Sequence, residues 1–361
     1  MEVKLPAFAK IAFNLISITI IGWLIYIGND IVMPLAFAAL FSVLLLPANN
    51  FLERHKFHRV LAIILTIAIS SSILGLIVYF LSFQISNFTQ DIPALSNQLK
   101  AHANTLQGWV EQKFHITYSN QLEYINNAAD KTIESGSKIV GATVTTISGM
   151  LIFVVVIPIY CFLLLFYRDL LKKFFIQLYA AEKSEKIQHI FSQAKYIIQN
   201  YMVGLLIDLI IVAALNCTGF FILGINYALL LGVIAAIMNL IPYIGMLLAT
   251  LLCMVVTLTT SDSLTTVALV AGVLLSVQFI DNNILMPKIV GSKVRINALI
   301  TIIGVFVGGS LAGISGMFIS IPTIAILKVI FDSVDSLKPW GILLGDEEVK
   351  KKNFTLKRKK K

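Results

Sequence analysis

The sequence predicts an all-α polytopic membrane protein with about eight hydrophobic segments, two of them broken or re-entrant hairpins, and an external helical hairpin besides. Three observations carry this. Of 361 residues, 58% are hydrophobic and 13% charged, about half the charged share of a soluble domain. Several runs of roughly twenty residues hold no charge, the length that crosses about 30 Å of hydrocarbon. Two of the long apolar runs are interrupted by polar residues, proline or glycine. Unwound backbone at membrane depth is tolerated only where it is buried in protein or lines a wet cavity, so such breaks point to a solute pathway rather than an anchor. The many short alternating strands of roughly ten residues that a membrane β-barrel needs are not in the sequence.

Residues 1–83 are expected to hold three spans. The first, about 11–27, follows Lys4 and Lys10, and its flanks read as an uncleaved first span rather than a signal peptide. Gly28, Asn29 and Asp30 form a turn without basic residues. The second span, about 31–52, leads to the compact basic loop Glu53, Arg54, His55, Lys56, His58 and Arg59. The positive-inside rule makes that loop cytoplasmic. His55 and His58 among arginines read as a solvated loop, not a metal site. Span three is about 60–82.

Residues 84–145 carry four lysines against five acids, and so are expected outside. Phe88, Ile92, Leu95, Leu99, His102, Leu106 and Trp109 alternate at spacings of four and three, a heptad stripe. Asp91 and Pro93 suit the start of that helix. A second helix is expected from Asn120, with Glu123 completing a capping box. The stripe serves either a self-packed hairpin or contacts between subunits.

The transport core is expected over 146–331. Span four, about 146–167, has Pro158 at mid-membrane, where a kink is expected. Arg168, Lys172 and Lys173 bring the chain back inside. Residues 169–200 are expected as an amphipathic helix along the cytoplasmic interface, with Ile187, Ile190, Phe191, Ala194, Ile197 and Ile198 on its apolar face. Span five, about 201–223, contains Asp208. A carboxylate inside a span is a functional candidate by default; the alternative is that Asp208 stays hydrated near the interface or pairs with Lys195 or Tyr201.

The run 227–260 is broken at Asn239-Leu240-Ile241-Pro242-Tyr243-Ile244-Gly245. It reads as a broken hairpin dipping from the outside, with two thin spans as the alternative. Ser261, Asp262 and Ser263 cap the next span, about 264–284. That span runs into Asp281, Asn282 and Asn283 and is stopped by Pro287. A basic loop with Lys288, Lys293 and Arg295 follows. The last run, about 296–331, would be roughly 54 Å long as one straight helix. Gly308, Gly309, Gly313 and Gly316 are therefore expected to fold it into a second hairpin, entering from the cytoplasmic side. The tail 332–361 is basic, and both termini are expected in the cytoplasm.

The net charge of +9 sits largely in Lys350–Lys352 and the last five residues. Basic flanks of spans report orientation and affinity for anionic lipid. No aromatic interleaving accompanies them, so nucleic acid is not an expected partner. Cys161, Cys217 and Cys253 fall inside apolar runs without metal-ligand spacing and are read as small lipid- or core-facing residues. Walker A, HExxH and GxSxG patterns are absent, so neither an enzyme nor an ATP-driven pump within this chain is expected, and no cofactor or metal.

Five stretches, in order across the chain, resemble the autoinducer-2 exporter family of bacterial permeases, the PerM-like permeases. They are MPLAFAALFSVLLLPANNFLER (33–54), VIPIYCFLLLFYRDL (156–170), NLIPYIG (239–245), DNNILMPKIVGSKV (281–294) and GGSLAGISGMFISIPTIAILK (308–328). The resemblance implies an inner-membrane permease, expected as a homo-oligomer. Family members are linked to export of autoinducer-2, and others to Na⁺ or Li⁺/H⁺ antiport. Two positions depart from the family pattern: Met246 stands where proline is frequent, and Asn297-Ala298 where His-Pro is frequent.

Three functions follow as expectations. The first is a secondary transporter exporting a small polar solute, autoinducer-2-like. Asn239, Asp281, Asn282 and Asn283 would hydrogen-bond the solute, and Pro242, Gly245, Pro287, Gly309 and Gly313 would shape the pathway. The second is a Na⁺(Li⁺)/H⁺ antiporter with Asp208 and Asp281 as ion- or proton-coupling carboxylates; paired acids would favour it, and no pair is apparent along the sequence. The third is a non-transporting scaffold.

Overall fold

The structure is a computed structural model and describes residues 6–114, 154–178, 184–242, 244–261, 263–289 and 296–345. The expected helix after Asn120, the start of span four, Asp262, Lys293, Arg295 and the basic tail beyond 345 lie outside these residues, as do the side chains of 91–114. Among the described residues the chain forms helices and no strand beyond an isolated bridge between Ile296 and Gly345. In order these are α1 (Ala7–Ile27), α2 (Asn29–Arg54), α3 (Arg59–Phe114) and α4 (Val154–Phe166). Then come α5 (Arg168–Leu178), α6 (Ser184–Ile222), α7 (Ala228–Asn239), α8 (Ile244–Thr260) and α9 (Leu264–Ile280). A π-helical turn (Asp281–Leu285), α10 (Met286–Ile289), α11 (Ala298–Ser333) and α12 (Lys338–Leu344) complete the chain.

The class is the expected one: an all-α, multi-pass membrane protein. Five helices are long and apolar enough to cross a membrane, six if α4 and α5 count as one bent span. The apolar part of α1, and α7 and α8, are shorter, so long helices alone do not make up the eight expected segments.

Four local expectations are corrected. The helix of span three does not end with the span: the apolar part is Arg59–Phe88, and α3 continues through Asp91 and Pro93 for 56 residues in all, about 84 Å. One proline removes one backbone bond, a loss that a helix with many intact turns on either side absorbs. The sharp bend in span four lies at Tyr167, where α4 meets α5 at 63°, and the chain stays helical through Pro158. The amphipathic segment is not set apart from span five: its stripe residues open α6, a single 39-residue helix that contains both. No proline interrupts α6, so nothing separates interface from span. Finally, Pro287 does not stop its helix but lies within α10. It cannot donate to the carbonyl four residues back and its ring crowds that carbonyl; the chain accommodates this by widening into the π turn, where the Met286 N–H reaches the Asp281 carbonyl.

The α4–α5 bend is held by two crossed ion pairs to the basic loop after α2. Arg59 meets Asp169 at 2.8 Å, and Arg168 meets Glu53 at 2.6 Å. Arg59 also donates to the last carbonyls of α4, Leu165 at 3.2 Å and Phe166 at 2.7 Å, which caps them as an arginine at a helix C-terminus does. These contacts put the loop 53–59 and the bend on one face of the molecule. The pair of Lys186 with Asp335 at 3.1 Å joins the start of α6 to the segment after α11.

The core is organised along α6. Its second half packs with α7, α8 and α9 through Phe220, Leu231, Ala235, Cys253 and Val270. Its first half packs with α2 and α11 through Leu40, Tyr201, Met202, Leu205 and Ile319. Glycine lets the backbones approach, as is usual between helices in lipid: a Cβ at Gly232 of α7 would collide with Cys217 of α6. All three cysteines are buried, so of the two expected placements they take the core-facing one.

Both expected breaks are present. The run 227–260 is a helical hairpin, α7 and α8 joined through residues 240–243. Gly245 begins the return arm, and a Cβ there would overlap the Met238 carbonyl. The run 298–333 folds back at Ala312 (φ −145°, ψ 23°) and Gly313 (φ 60°, ψ −145°). Its arms are antiparallel: a Cβ on Gly308 would strike the Gly316 carbonyl and one on Gly316 the Gly308 carbonyl, and Gly304 faces Ile324. A straight helix would hold Gly304 and Ile324 about 30 Å apart.

Candidate functional site

Asp208, Val212, Asn216 and Phe220 recur every four residues on α6, and so share one face. All four are buried, turned toward α7 and α9. Asp208 falls between the two halves of the core, one turn from Leu205 in one apolar cluster and one turn from Val212 in the other.

Asp281 opens the π turn at the end of α9. Only 1% of it is exposed, against 2% of Asp208. The two carboxyl groups are neighbours, near enough for each to feel the other's charge. Asp208 therefore neither stays hydrated at the interface nor pairs with Lys195 or Tyr201. The apparent lack of paired acids is likewise corrected, because the pair is assembled from residues 208 and 281. Asp281 takes its direction from α9, whose C-cap it is, and the π turn that it opens changes the register of the side chains that follow.

The break between α7 and α8 supplies the third group. Asn239, the last residue of α7, donates its Nδ2–H to Asp281 Oδ2 at 2.8 Å. Gln278 approaches the same oxygen at 3.5 Å, too long to contribute much, and donates a better bond to Asn282 at 3.1 Å. Oδ1 of both Asp208 and Asp281 is buried without a partner. Leaving such an atom unpaired costs about 1–3 kcal/mol, more when charged. Two carboxylates side by side in a medium of low dielectric also repel.

A small cavity of about 10 Å³ adjoins this cluster, bounded by Asn216, Asn239, Thr250 and Gln278 among others. That is about the room one water needs. Asn216 Oδ1 and Thr250 Oγ1 are buried and unpartnered, so the cavity is polar and suited to hold water. Asn216, Thr250 and Gln278 were not singled out from the sequence. The signal available was a lone amide or hydroxyl in an apolar run, as at Asn216 in LNCTGFF.

The structure gathers Asp208, Asp281 and Asn239, and leaves other expected residues elsewhere. Asn282, Asn283 and Pro287 are exposed on the π turn and α10; Asn283 Nδ2 donates to the Phe279 carbonyl of its own helix at 2.8 Å. Pro242 and Gly245 shape the α7–α8 turn. Gly309 and Gly313 lie at the fold of α11, where a Cβ on Gly309 would press on Met317. The two turns approach each other, since Leu240 and Ala312 pack into one cluster with Tyr201, Met202 and Leu205. Both hairpins thus contribute to the apolar cluster around the first half of α6.

Asn297, at one of the two departures from the family pattern, has a structural task. Its Oδ1 accepts from the Ile300 N–H at 2.8 Å, capping α11, and its Nδ2 donates to the carbonyls of Leu343 and Gly345. It ties α12 across the start of the second hairpin.

Residues 14–336 match the model of a family described as AI-2E family transporter. YrrI of Bacillus subtilis (strain 168) is 26% identical over 322 residues, covering 85% of this chain and 87% of that protein. A protein of Escherichia coli (strain K12) named AI-2 transport protein TqsA is 24% identical over 343 residues, 93% of this chain and 96% of its own.

Proposed function

The chain belongs to the AI-2E transporter family, and from that premise we propose that it is a secondary transporter exporting a small polar solute of the autoinducer-2 kind, with Asp208 and Asp281 as its coupling site. The membrane is the bacterial inner membrane and both termini are cytoplasmic. The observation that carries the coupling assignment is the meeting of two buried carboxyl groups where α6, α9 and the α7–α8 turn converge. Such a pair exchanges a proton or a cation as its surroundings open to one side or the other. Asn239 joins the pair to a broken hairpin, so a shift of that turn changes the donors available to Asp281. The adjoining cavity has room for about one water, so support for the substrate class comes from the name of the E. coli relative.

Na⁺(Li⁺)/H⁺ antiport is the second reading. It is favoured by the two unpartnered Oδ1 atoms, which are oxygen ligands of the kind a hard monovalent cation takes.

Flux in proteoliposomes tests both. Wild type, Asp208→Asn and Asp281→Asn are compared with and without a pH gradient, following autoinducer-2 on one hand and Na⁺ or Li⁺ on the other. The exporter reading expects gradient-driven solute flux that either substitution uncouples. Gradient-driven cation flux lost in both variants, with no solute flux, selects the antiporter. Flux of either kind that keeps its full pH dependence in both variants removes the coupling site.

A further inference from the structure

The face that carries the basic loop 53–59 also holds a cavity of about 360 Å³ between the end of α2 and the first half of α6. It is separate from the carboxyl pair and shares no residue with it. Two cations line it, Arg54 from α2 and Lys195 from α6. Among the described residues neither is paired with a carboxylate. The nearest acid in sequence, Glu53, is taken by Arg168 at 2.6 Å and by Asn49 at 2.9 Å. Asn50 and Gln199 add amides to the lining; the Asn50 oxygen is engaged by Arg168 at 3.2 Å, which leaves its N–H groups to donate. The remaining wall, Leu46, Pro47 and Phe51, is apolar, and Phe51 is exposed.

Two unpaired cations and amide donors with no acid among the lining residues make a receptor for an anion. A guanidinium and an ammonium set around a space of this size fit a phosphate group, which accepts from both. The apolar wall has no use to a free inorganic ion. It suits the glycerol and first acyl carbons of a lipid, and it lies at the end of α2, a helix apolar enough to span the membrane. Basic pockets between spans on the cytoplasmic side hold anionic headgroups by the same means. We propose that this cavity binds the headgroup phosphate of one acidic phospholipid, which bridges α2 to α6. Because α6 carries Asp208 farther along the same helix, the lipid clamps the cytoplasmic end of the helix on which the carboxyl pair is built.

The test uses the full chain purified in detergent. Dioleoylphosphatidylglycerol, dioleoylphosphatidylcholine and inorganic phosphate are titrated separately while the unfolding midpoint is read. The phosphatidylglycerol is expected to raise the midpoint saturably and the phosphatidylcholine to leave it unchanged. Arg54→Gln and Lys195→Gln should each weaken the apparent affinity about fivefold, and the double variant about 25-fold. Arg54→Lys, which keeps the charge, should recover most of the loss, and Lys186→Gln, outside the cavity, should match wild type. Unchanged affinity in the double variant, or equal weakening by Lys186→Gln, overturns the site. Inorganic phosphate giving the same shift, with the same dependence on Arg54 and Lys195, overturns the lipid assignment. If the double variant fails to fold, native mass spectra of the wild-type chain decide: retention of phosphatidylglycerol no greater than that of phosphatidylcholine overturns the proposal.

Discussion

The two broken hairpins turn the chain inside an apolar layer by different chemistry. The α7–α8 turn is a stretch of loop with proline at its centre and an amide, Asn239, at its edge. That amide reaches out of the hairpin to Asp281. The α11 turn is made of small residues. Its one side-chain hydrogen bond near the tip runs from Ser310 back to the Phe306 carbonyl of its own helix at 3.0 Å, and its arms are held by the mutual approach of Gly308 and Gly316. The first hairpin thus contributes a chemical group to the site, and the second contributes shape. Proline and glycine both break helices, but only the neighbouring polar residue shows which break faces the chemistry.

The largest expected effect breaks the shape. Gly316→Leu places a side chain where the Gly308 carbonyl lies and should cost about 3 kcal/mol or more, seen as loss of the monodisperse peak in size-exclusion chromatography. Gly313→Ala is milder. It asks an alanine to adopt φ 60° and ψ −145°, a region that is nearly glycine's alone, at about 1–3 kcal/mol. An unchanged unfolding midpoint for Gly313→Ala would mean that the turn does not depend on that conformation.

The contrast in chemistry is sharpened by a matched pair. Asn239→Ala removes a bond to a carboxyl group worth about 1.5–3 kcal/mol and should displace the pH profile of transport. Ser310→Ala removes a local bond on an exposed residue and should leave the profile in place. Equal displacement by both would end the distinction between the hairpins. A smaller effect is expected where α12 ties down the second hairpin: Asn297→Ala removes the N-cap of α11, about 1 kcal/mol, read as a lower unfolding midpoint with transport retained.

The smallest effect lies outside the membrane. Lys338 and Lys186 hold the Asp335 carboxyl down at about 2. A depressed acid stabilises the fold above its ordinary range near pH 4 and loses that contribution as pH falls through about 2. Asp335 is exposed, so solvent screens the pairs. The difference in unfolding midpoint between wild type and Asp335→Asn should be small at pH 6 and vanish near pH 2.

Both hairpins were legible in the sequence, because Pro242 and the glycines at 308–316 interrupt runs too apolar to be anything but buried or lipid-facing. Asp208 and Asp281 were each legible as charges out of place. Their meeting was not, since it depends on how α9 packs on α6. Asn282 and Asn283 looked equivalent to Asp281 along the chain, and the packing of the helix end sorts one inward and two outward. Asp91 and Pro93 suggest a helix start, but such signals mark a start only where the preceding turn has ended, and α3 had not. Asn297 read as a departure from the family, and the structure shows it as a cap and clasp.

The length of α3 has a mechanical consequence. It is anchored at Arg59 to the α4–α5 bend and extends about 84 Å to Phe114, nearly three times the hydrocarbon thickness. A rod of that length is a lever with its fulcrum in the bilayer. A tilt of about 5° at the Arg59 end sweeps the far end through about 7 Å, so a helix adjustment too small to repack the core is magnified at the opposite end of the molecule.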